Sequence, residues 1–496
     1  DTDRIKELIK NAKSAAVIGG GFIGLEMAEN LSMAGLEVSL VEMQDQVMAP
    51  LDYEMAQLLH ENITGNGVNL YLADGVTSFA DKDDKVIITL SSGKTASADL
   101  VILSIGVRPN SKLAKEAGLK LNARGGIVTD EYLRTSDPDI YAVGDVIEVE
   151  DYISKERTMV PLAGPANKQG RIAADNIAGG SKTYKGTQGT SVAKIFDLTA
   201  ASTGANEKTL IKQGLKKGKD YETVLIMQNS HASYYPGAVP MTLKLLFSAD
   251  GKKLFGAQIV GADGVDKRID VIATAIRLGG GVSQLKELEL AYAPPYSSAK
   301  DPVNMAGFVA ENIMKGIVRF SEWNAVENNP DAVLLDVREE AEIMAFALPG
   351  AKHIPLGQLR DRINELDKNK RTIVFCAIGV RSYNATRILM QNGFTDVLLY
   401  PAGTRFYRST HYDKYDNVKR NALPVSDSGD IKKYISSTAS ISIDCTGLQC
   451  PGPIMKVFET LQDMKDGEIL EVTASDPGFM KDIGAWCRRT GNTLLT

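Results

Sequence analysis

The chain has 496 residues, 44% of them apolar and 24% charged, enough material for several hydrophobic cores rather than one. Lys and Arg number 56 against 62 Asp and Glu, and the formal charge of −6 is not gathered into blocks, so nucleic acid is not an expected partner. No run of about 18 apolar residues occurs and the first residues lack a basic-then-apolar leader pattern, so neither a membrane span nor secretion is expected.

Ala15 to Gly19 reads as a buried parallel strand, residues 23 to 34 as a helix and Glu37 to Glu42 as the next strand, a βαβ unit. Between the first strand and the helix lies Gly19-Gly20-Gly21-Phe22-Ile23-Gly24, a G-x-G-x-x-G in the context that motif requires. Gly19, Gly21 and Gly24 permit a tight turn and close approach of a pyrophosphate to the helix N-terminus. Glu42, at the end of the second strand, is placed to accept hydrogen bonds from a ribose diol and to repel a 2′-phosphate, so NADH is expected over NADPH. A further strand, Asp99 to Ile105, runs into the loop-like Gly106-Val107-Arg108-Pro109, a domain edge near residue 107. Mixed structure follows to about residue 185, with a Gly144-Asp145 turn placed at a strand end, and Pro161 to Ala166 precedes a helix. Strands at Thr242 to Phe247 and Leu254 to Val260, then a helix at 264 to 278, give the next block the look of an interface domain.

From Trp323 to about Leu423 the α/β alternation repeats on a smaller scale, with strands at Ala332 to Asp336 and Thr372 to Cys376. A Ser-rich stretch, Ser426 to Ser440, reads as a linker. The last segment reads as strand Ile441 to Asp444, helix from Pro451, strand Ile469 to Ala474 and helix from about Asp476. The four cysteines, Cys376, Cys445, Cys450 and Cys487, all lie in the last quarter, which suits reactive thiols in a reducing cytoplasm. Four scattered histidines show no zinc-site spacing, and no metal is expected.

Two thiols sit where sulfur chemistry is favoured. Cys376-Ala377-Ile378-Gly379-Val380-Arg381-Ser382 follows a strand and precedes a helix, so inward-pointing N–H groups are expected around Cys376. Four residues separate Cys376 from Arg381, one fewer than in the phosphate-cradling loop of tyrosine phosphatases, which suits a persulfide sulfur; Arg381 would hold an anionic donor or the persulfide charge. Cys450-Pro451-Gly452-Pro453 opens a helix whose dipole favours a thiolate. Cys445 and Cys487 read as buried small residues, with a resolving thiol as the alternative.

Gly19 to Glu26, Ile105 to Asn110 and Thr135-Ser136-Asp137-Pro138-Asp139-Ile140-Tyr141-Ala142-Val143-Gly144-Asp145 together resemble the two-dinucleotide flavoprotein reductases. Tyr234-Tyr235-Pro236-Gly237 and Tyr292-Ala293-Pro294-Pro295-Tyr296-Ser297 narrow the resemblance to the coenzyme A disulfide reductase and persulfide reductase branch. Residues 334 to 338, 348 to 356 and the Cys376 loop resemble a rhodanese, with Ala347-Leu348 where a His-Ile pair is common. Gly447-Leu448, Cys450-Pro451 and Trp486-Cys487 resemble TusA-like sulfur carriers. The resemblance implies an α/β multidomain chain in five parts. These are a Rossmann-like NAD(H)-binding domain at 1–107, the C-terminal part of an FAD-binding domain at 108–185, an α+β dimerisation domain at 186–318, an α/β rhodanese domain at 319–424 and an α+β TusA-like two-layer sandwich at 438–496.

In that frame Asp145 with Gly106 and Gly144 binds the flavin side. The helix opening at Ala163 and Gly164 stabilises negative charge on reduced flavin, and Phe22, Ile23 and Glu26 lie along the nicotinamide approach. Tyr234 and Tyr292, with Tyr235 and Tyr296 as alternatives, would meet the redox sulfur of a partner subunit, so a homodimer is expected. The family begins with a flavin-binding G-x-G-x-x-G and a redox cysteine, whereas the first cysteine here is Cys376. An FAD pocket incomplete in this chain, and truncation at both ends, are therefore expected. The implied function is NADH-dependent, FAD-mediated reduction of a small thiol derivative (coenzyme A disulfide, coenzyme A persulfide or polysulfide). Sulfane sulfur would move through Cys376 and Cys450, with sulfur-accepting proteins as further partners. The alternatives are a flavin-free sulfurtransferase and carrier, and a reductase resembling the NADH peroxidases and oxidases.

Overall fold

The computed structural model describes residues 2–415, 439–448 and 451–495. The Ser-rich stretch expected as a linker lies outside the described residues up to 438. Four parallel strands open the fold, in the order Asn69–Tyr71, Glu37–Val41, Ser14–Ile18, Leu100–Leu103. Ser14–Ile18 is buried along its whole length, the pattern of a central strand covered on both faces. The Phe22–Met33 helix is the crossover, so Gly19, Glu42 and Ser104 meet at the carboxyl edge of the sheet.

One element there is not legible in the sequence. Val76–Lys82, Lys85–Leu90 and Thr95–Ala98 form an antiparallel meander. Its inner residues Ile88, Leu90, Ala96 and Ala98 pack on Ala16, Ile18 and Val41. Its first strand is almost wholly exposed, so it shows no apolar alternation to read.

The second sheet has three short strands, Ile127–Val128, Ile147–Glu150 and Arg157–Thr158, with the Ala163–Ile177 helix following. It corrects one expectation: Gly144–Val146 is a single 3-10 turn that leads into Ile147–Glu150, so Asp145 precedes a strand instead of ending one. Residues 140–143 carry only an isolated bridge, Arg134 with Tyr141.

The third sheet is antiparallel, in the order Ser191–Ile195, Leu198–Gly204, Leu254–Gly261, Pro240–Ser248, Tyr221–Asn229. Helices Val265–Arg277 and Pro302–Met314 pack on it through Ile269, Ile272, Val303 and Ala306. Leu225, Met227 and Val260 belong instead to a core shared with the first unit. Both faces are therefore covered, which is why Leu254–Gly261 is buried at every position without alternation.

A fourth sheet, parallel, runs Lys352–His353, Val333–Asp336, Thr372–Phe375, Val397–Leu399, with helices Val380–Gln391 and Gly403–Thr410. The last unit pairs Ile441–Cys445 with Leu470–Ala474 in parallel, and helices Gly452–Gln462 and Pro477–Thr490 complete its two layers. Among the described residues no helix is long and apolar enough to cross a membrane.

Candidate functional site

The glycine turn shows by its crowding which glycines are obligatory. Gly19 has φ +111°, and a Cβ there would lie 2.4 Å from the Ser104 carbonyl oxygen; one on Gly24 would lie 1.8 Å from the Gly19 oxygen. A Cβ on Gly21 would meet nothing within 4 Å, so this backbone faces open space ahead of the helix. The Glu42 carboxylate accepts the Gly20 N–H at 2.6 Å and the Gln44 N–H at 2.8 Å. It thereby braces the turn while keeping acceptor capacity for a diol. Phe22 packs on the apolar core, whereas Ile23 and Glu26 are exposed along the same helix. A bare turn, an N-terminal dipole and an acid at the strand end fit a dinucleotide pyrophosphate and its ribose.

Gly106 and Asp145 line one cleft of about 1320 Å³, with Arg108, Asn110, Arg124 and Pro161 among its walls. The Gly144 N–H donates to Gln169 Oε1 at 2.7 Å, tying this turn to the helix that Ala163 and Gly164 begin. These three segments, separate in the chain, thus converge where the resemblance puts the flavin side. The donor set here fits part of that group, an acid and a helix start beside a roomy cleft.

Tyr234 and Tyr292 meet: their hydroxyl oxygens are 2.8 Å apart, and both rings are open to solvent, 65% and 46% exposed. The shared hydrogen bond holds the Tyr234 phenol above its ordinary pKa, with lesser contributions from burial and from the Tyr292 charge. Tyr235 instead turns its ring edge-on to His231, and Tyr296 is exposed. A residue that sequence reasoning passed over holds the two loops in place. Arg268, 1% exposed, donates to the Ser230 carbonyl at 2.8 Å, to Ser297 Oγ at 3.1 Å and to Asp301 Oδ2 at 3.1 Å. The signal was an Arg on the apolar stripe Val265, Ile269, Ile272, Ile276; its partners, from 29 to 38 positions away, leave no trace in the sequence.

Cys376 follows directly on the buried strand Thr372–Phe375 and is 1% exposed. Its Sγ accepts the Gly379 N–H at 3.1 Å and lies 3.4 Å from Ser382 Oγ, at the start of the Val380–Gln391 helix. The sulfur thus receives one backbone N–H and sits beside a helix start. Arg381 leads elsewhere: its guanidinium forms a bidentate pair with Glu342, at 2.6 and 2.7 Å. Glu342, almost fully buried, also accepts the Glu339 N–H at 3.0 Å.

Cys450 lies outside the described residues, but its flanks are ordered by local bonds. The Gly447 N–H donates to Ser475 Oγ at 2.9 Å, and the Met455 N–H to the Pro451 carbonyl at 3.0 Å. Cys445 and Cys487 are buried, and burial pushes both thiols up, which disfavours the thiolate. They are packing residues in this structure. Among the described residues Asp52, Glu54 and Glu207 form a carboxylate cluster of the kind that could hold a cation, and the Lys244 ammonium sits among them.

Comparison with known proteins agrees with this arrangement. Residues 1–170 match the pyridine nucleotide-disulphide oxidoreductase family and 190–302 its dimerisation domain. Residues 322–408 match the rhodanese-like domain and 441–496 sulfurtransferase TusA. A coenzyme A disulfide reductase of Staphylococcus epidermidis is 36% identical over 314 residues, covering 63% of this chain and 69% of that protein. The crystal structure of reduced CoADR-RHD from Bacillus anthracis superposes with a TM-score of 0.78 at 48% identity, over 83% of this chain and 74% of that one. An NAD-dependent persulfide reductase from A. fulgidus superposes with a TM-score of 0.76 at 41% identity, over 82% and 74%.

Proposed function

Since the chain belongs to the pyridine nucleotide-disulphide oxidoreductase family, among relatives that include coenzyme A disulfide reductases, we propose that it reduces a coenzyme A disulfide or persulfide with NADH and passes sulfane sulfur between its own thiols. The observation that carries the sulfur half of this reading is Cys376 Sγ accepting the Gly379 N–H at the head of a helix. A thiolate there attacks the outer sulfur of a persulfide, the donor thiolate departs, and the new persulfide inherits the same N–H. Cys450, in the TusA-matching segment, is the next acceptor. Covalent linkage of the two units raises the local concentration of one thiol at the other.

NADH and FAD, when bound, supply and relay the hydride. The Gly19–Gly24 turn receives the NADH pyrophosphate, with Glu42 on the ribose and Phe22, Ile23 and Glu26 along the approach. Gly106, Gly144, Asp145, Ala163 and Gly164 serve the flavin side. Tyr234 and Tyr292 hydrogen-bond the reacting sulfur of a partner subunit and donate a proton to the leaving thiolate, so the working unit is a homodimer. Arg381, paired with Glu342 at rest, meets an anionic donor or the persulfide charge only by leaving that carboxylate.

The test is incubation of the purified chain with coenzyme A persulfide, followed by peptide mass spectrometry. Added sulfur is expected on Cys376 and Cys450, with loss of the Cys450 label in Cys376→Ala. Sulfur on neither thiol would sink the reading.

A further inference from the structure

The Gly403–Thr410 helix hangs on the Cys376 loop. Thr404 N–H donates to the Cys376 carbonyl at 2.8 Å and Arg405 N–H to the Ala377 carbonyl at 3.2 Å. A Cβ on Gly403 would lie 2.3 Å from the Cys376 oxygen, so helix and loop are in direct backbone contact. This helix carries Arg405 and Arg408, which with Arg338 and Ala377 line a cavity of about 20 Å³, room for little more than one water. The far wall of that cavity belongs to the TusA-matching unit, through Ile454 and Asp482.

The two units are matched in charge and in apolar surface. Arg405 pairs with Asp476 at 3.1 Å and Arg408 with Asp482 at 3.0 Å. Arg489 returns a hydrogen bond to the Ile343 carbonyl at 3.0 Å. Between these polar contacts Met344 and Ala345 of the rhodanese-like unit join the core of Ile454, Phe479 and Trp486. The carboxylates of the carrier unit therefore occupy guanidinium groups of the helix that is hydrogen-bonded to the Cys376 loop.

Resting on the sulfur-transfer reading above, we propose that the Arg405/Arg408 face is a shared docking surface. The carrier unit and an anionic sulfane-sulfur donor use it in turn, and the carrier's Asp476 and Asp482 hold the place that the donor's negative charge must take. The carrier swings away while Cys376 is charged, then returns to receive the sulfur. With thiosulfate the charging step balances without any oxidant. The Cys376 thiolate forms a bond to the sulfane sulfur as the sulfur–sulfur bond of the donor breaks, and sulfite leaves with the electron pair. With coenzyme A persulfide the coenzyme A thiolate is the leaving group.

The experiment measures the rate at which Cys376 of the full chain gains sulfur, by quenched mass spectrometry, in wild type and in Asp476→Asn/Asp482→Asn. Asparagine at 476 can still cap the Pro477–Thr490 helix, where the Asp476 side chain accepts the Gly478 N–H. The milder Asp482→Asn alone provides a second variant. Loss of the two partly exposed pairs is expected to speed charging about threefold to tenfold. Acceleration with thiosulfate alone supports the inference with a small oxyanion as the occupant; acceleration with coenzyme A persulfide alone supports it with the phosphates of the larger donor. Wild-type rates in both variants with both donors overturn the shared surface while leaving Cys376 chemistry intact. Absence of sulfur on Cys376 in every protein overturns the transfer reading, and this inference with it.

Discussion

At the scale of single residues, two glycines three positions apart do opposite work. Gly24 cannot carry a side chain, because its Cβ would fall inside the Gly19 carbonyl oxygen, whereas Gly21 is open and has a backbone any residue adopts. Gly24→Ala is expected to break the turn and destabilise the fold by about 1–3 kcal/mol, the range typical of overpacking, which appears as a lower melting temperature. Gly21→Ala is expected to leave the melting temperature unchanged and to weaken NADH binding about tenfold or more, since its methyl stands where a pyrophosphate would approach. Thermal melts and fluorescence titration with NADH check both. Unchanged NADH affinity in Gly21→Ala would remove the turn from the binding site. Both glycines were legible from motif spacing: Gly24 because a Cβ there is forbidden by the turn itself, Gly21 because the motif leaves its backbone bare for a ligand.

At the scale of elements, the Tyr53–Gly65 helix is fastened by a neutral histidine. Burial holds His60 down at about 3. Its Nε2 accepts the Val47 N–H at 3.1 Å, which leaves Nδ1–H to donate to Gln57 Oε1 at 3.3 Å. The ordinary histidine value is 6.5, so between 6.5 and about 3 the unfolded chain binds a proton that the folded chain refuses. Stability from this group is present above 6.5 and is lost progressively as the pH falls below it. His60→Leu is expected to cost about 1–3 kcal/mol at neutral pH, since the Val47 N–H loses its acceptor, and to flatten the decline between about pH 7 and pH 5. Urea unfolding at the two pH values checks this, and parallel slopes in the two proteins would refute the assignment. The helix itself was not foreseen, nor was the meander at 76–98, whose mostly exposed first strand carries no apolar period.

At the scale of the whole molecule, the first and third units are joined by a buried ionic cluster. Lys244 contacts Asp52 at 2.8 Å and Glu207 at 2.7 Å, and also Glu54, while Asp52 additionally accepts the Gln258 amide at 2.7 Å. Burial is the largest single effect and pushes Asp52 and Glu207 up, but the Lys244 charge together with the hydrogen bonds from Lys244 and its neighbours outweighs it, so both ionise below their ordinary values of 3.8 and 4.5. Their contribution is present above those values and is lost as the pH falls through the lowered ones. Burial works against the Lys244 charge, but the surrounding carboxylates prevail and raise it above 10.5, so its share is lost only at higher pH. Lys244→Met leaves buried carboxylates without a counter-charge and is expected to cost about 3–5 kcal/mol at neutral pH. The same change reverses the acid response, so the variant gains stability toward pH 4 while the wild type does not. Denaturant unfolding across that range decides it; a variant that weakens on acidification like the wild type would show that the cluster does not carry the interface.

Contiguous residues alone determined the glycine turn, the Cys376 loop and the order of the units, because each is written in strand-to-turn-to-helix constraints or in short motifs; which of the four tyrosines meet was left to the fold. Tertiary structure decided where the charges go. Arg381 turns to Glu342, 39 positions away, Arg268 reaches Ser230, and Lys244 reaches Glu54 across 190 positions. A guanidinium, ammonium or carboxylate is tolerated in a core only beside its partner, and that partner comes from whichever distant segment the fold brings near. No local pattern records it.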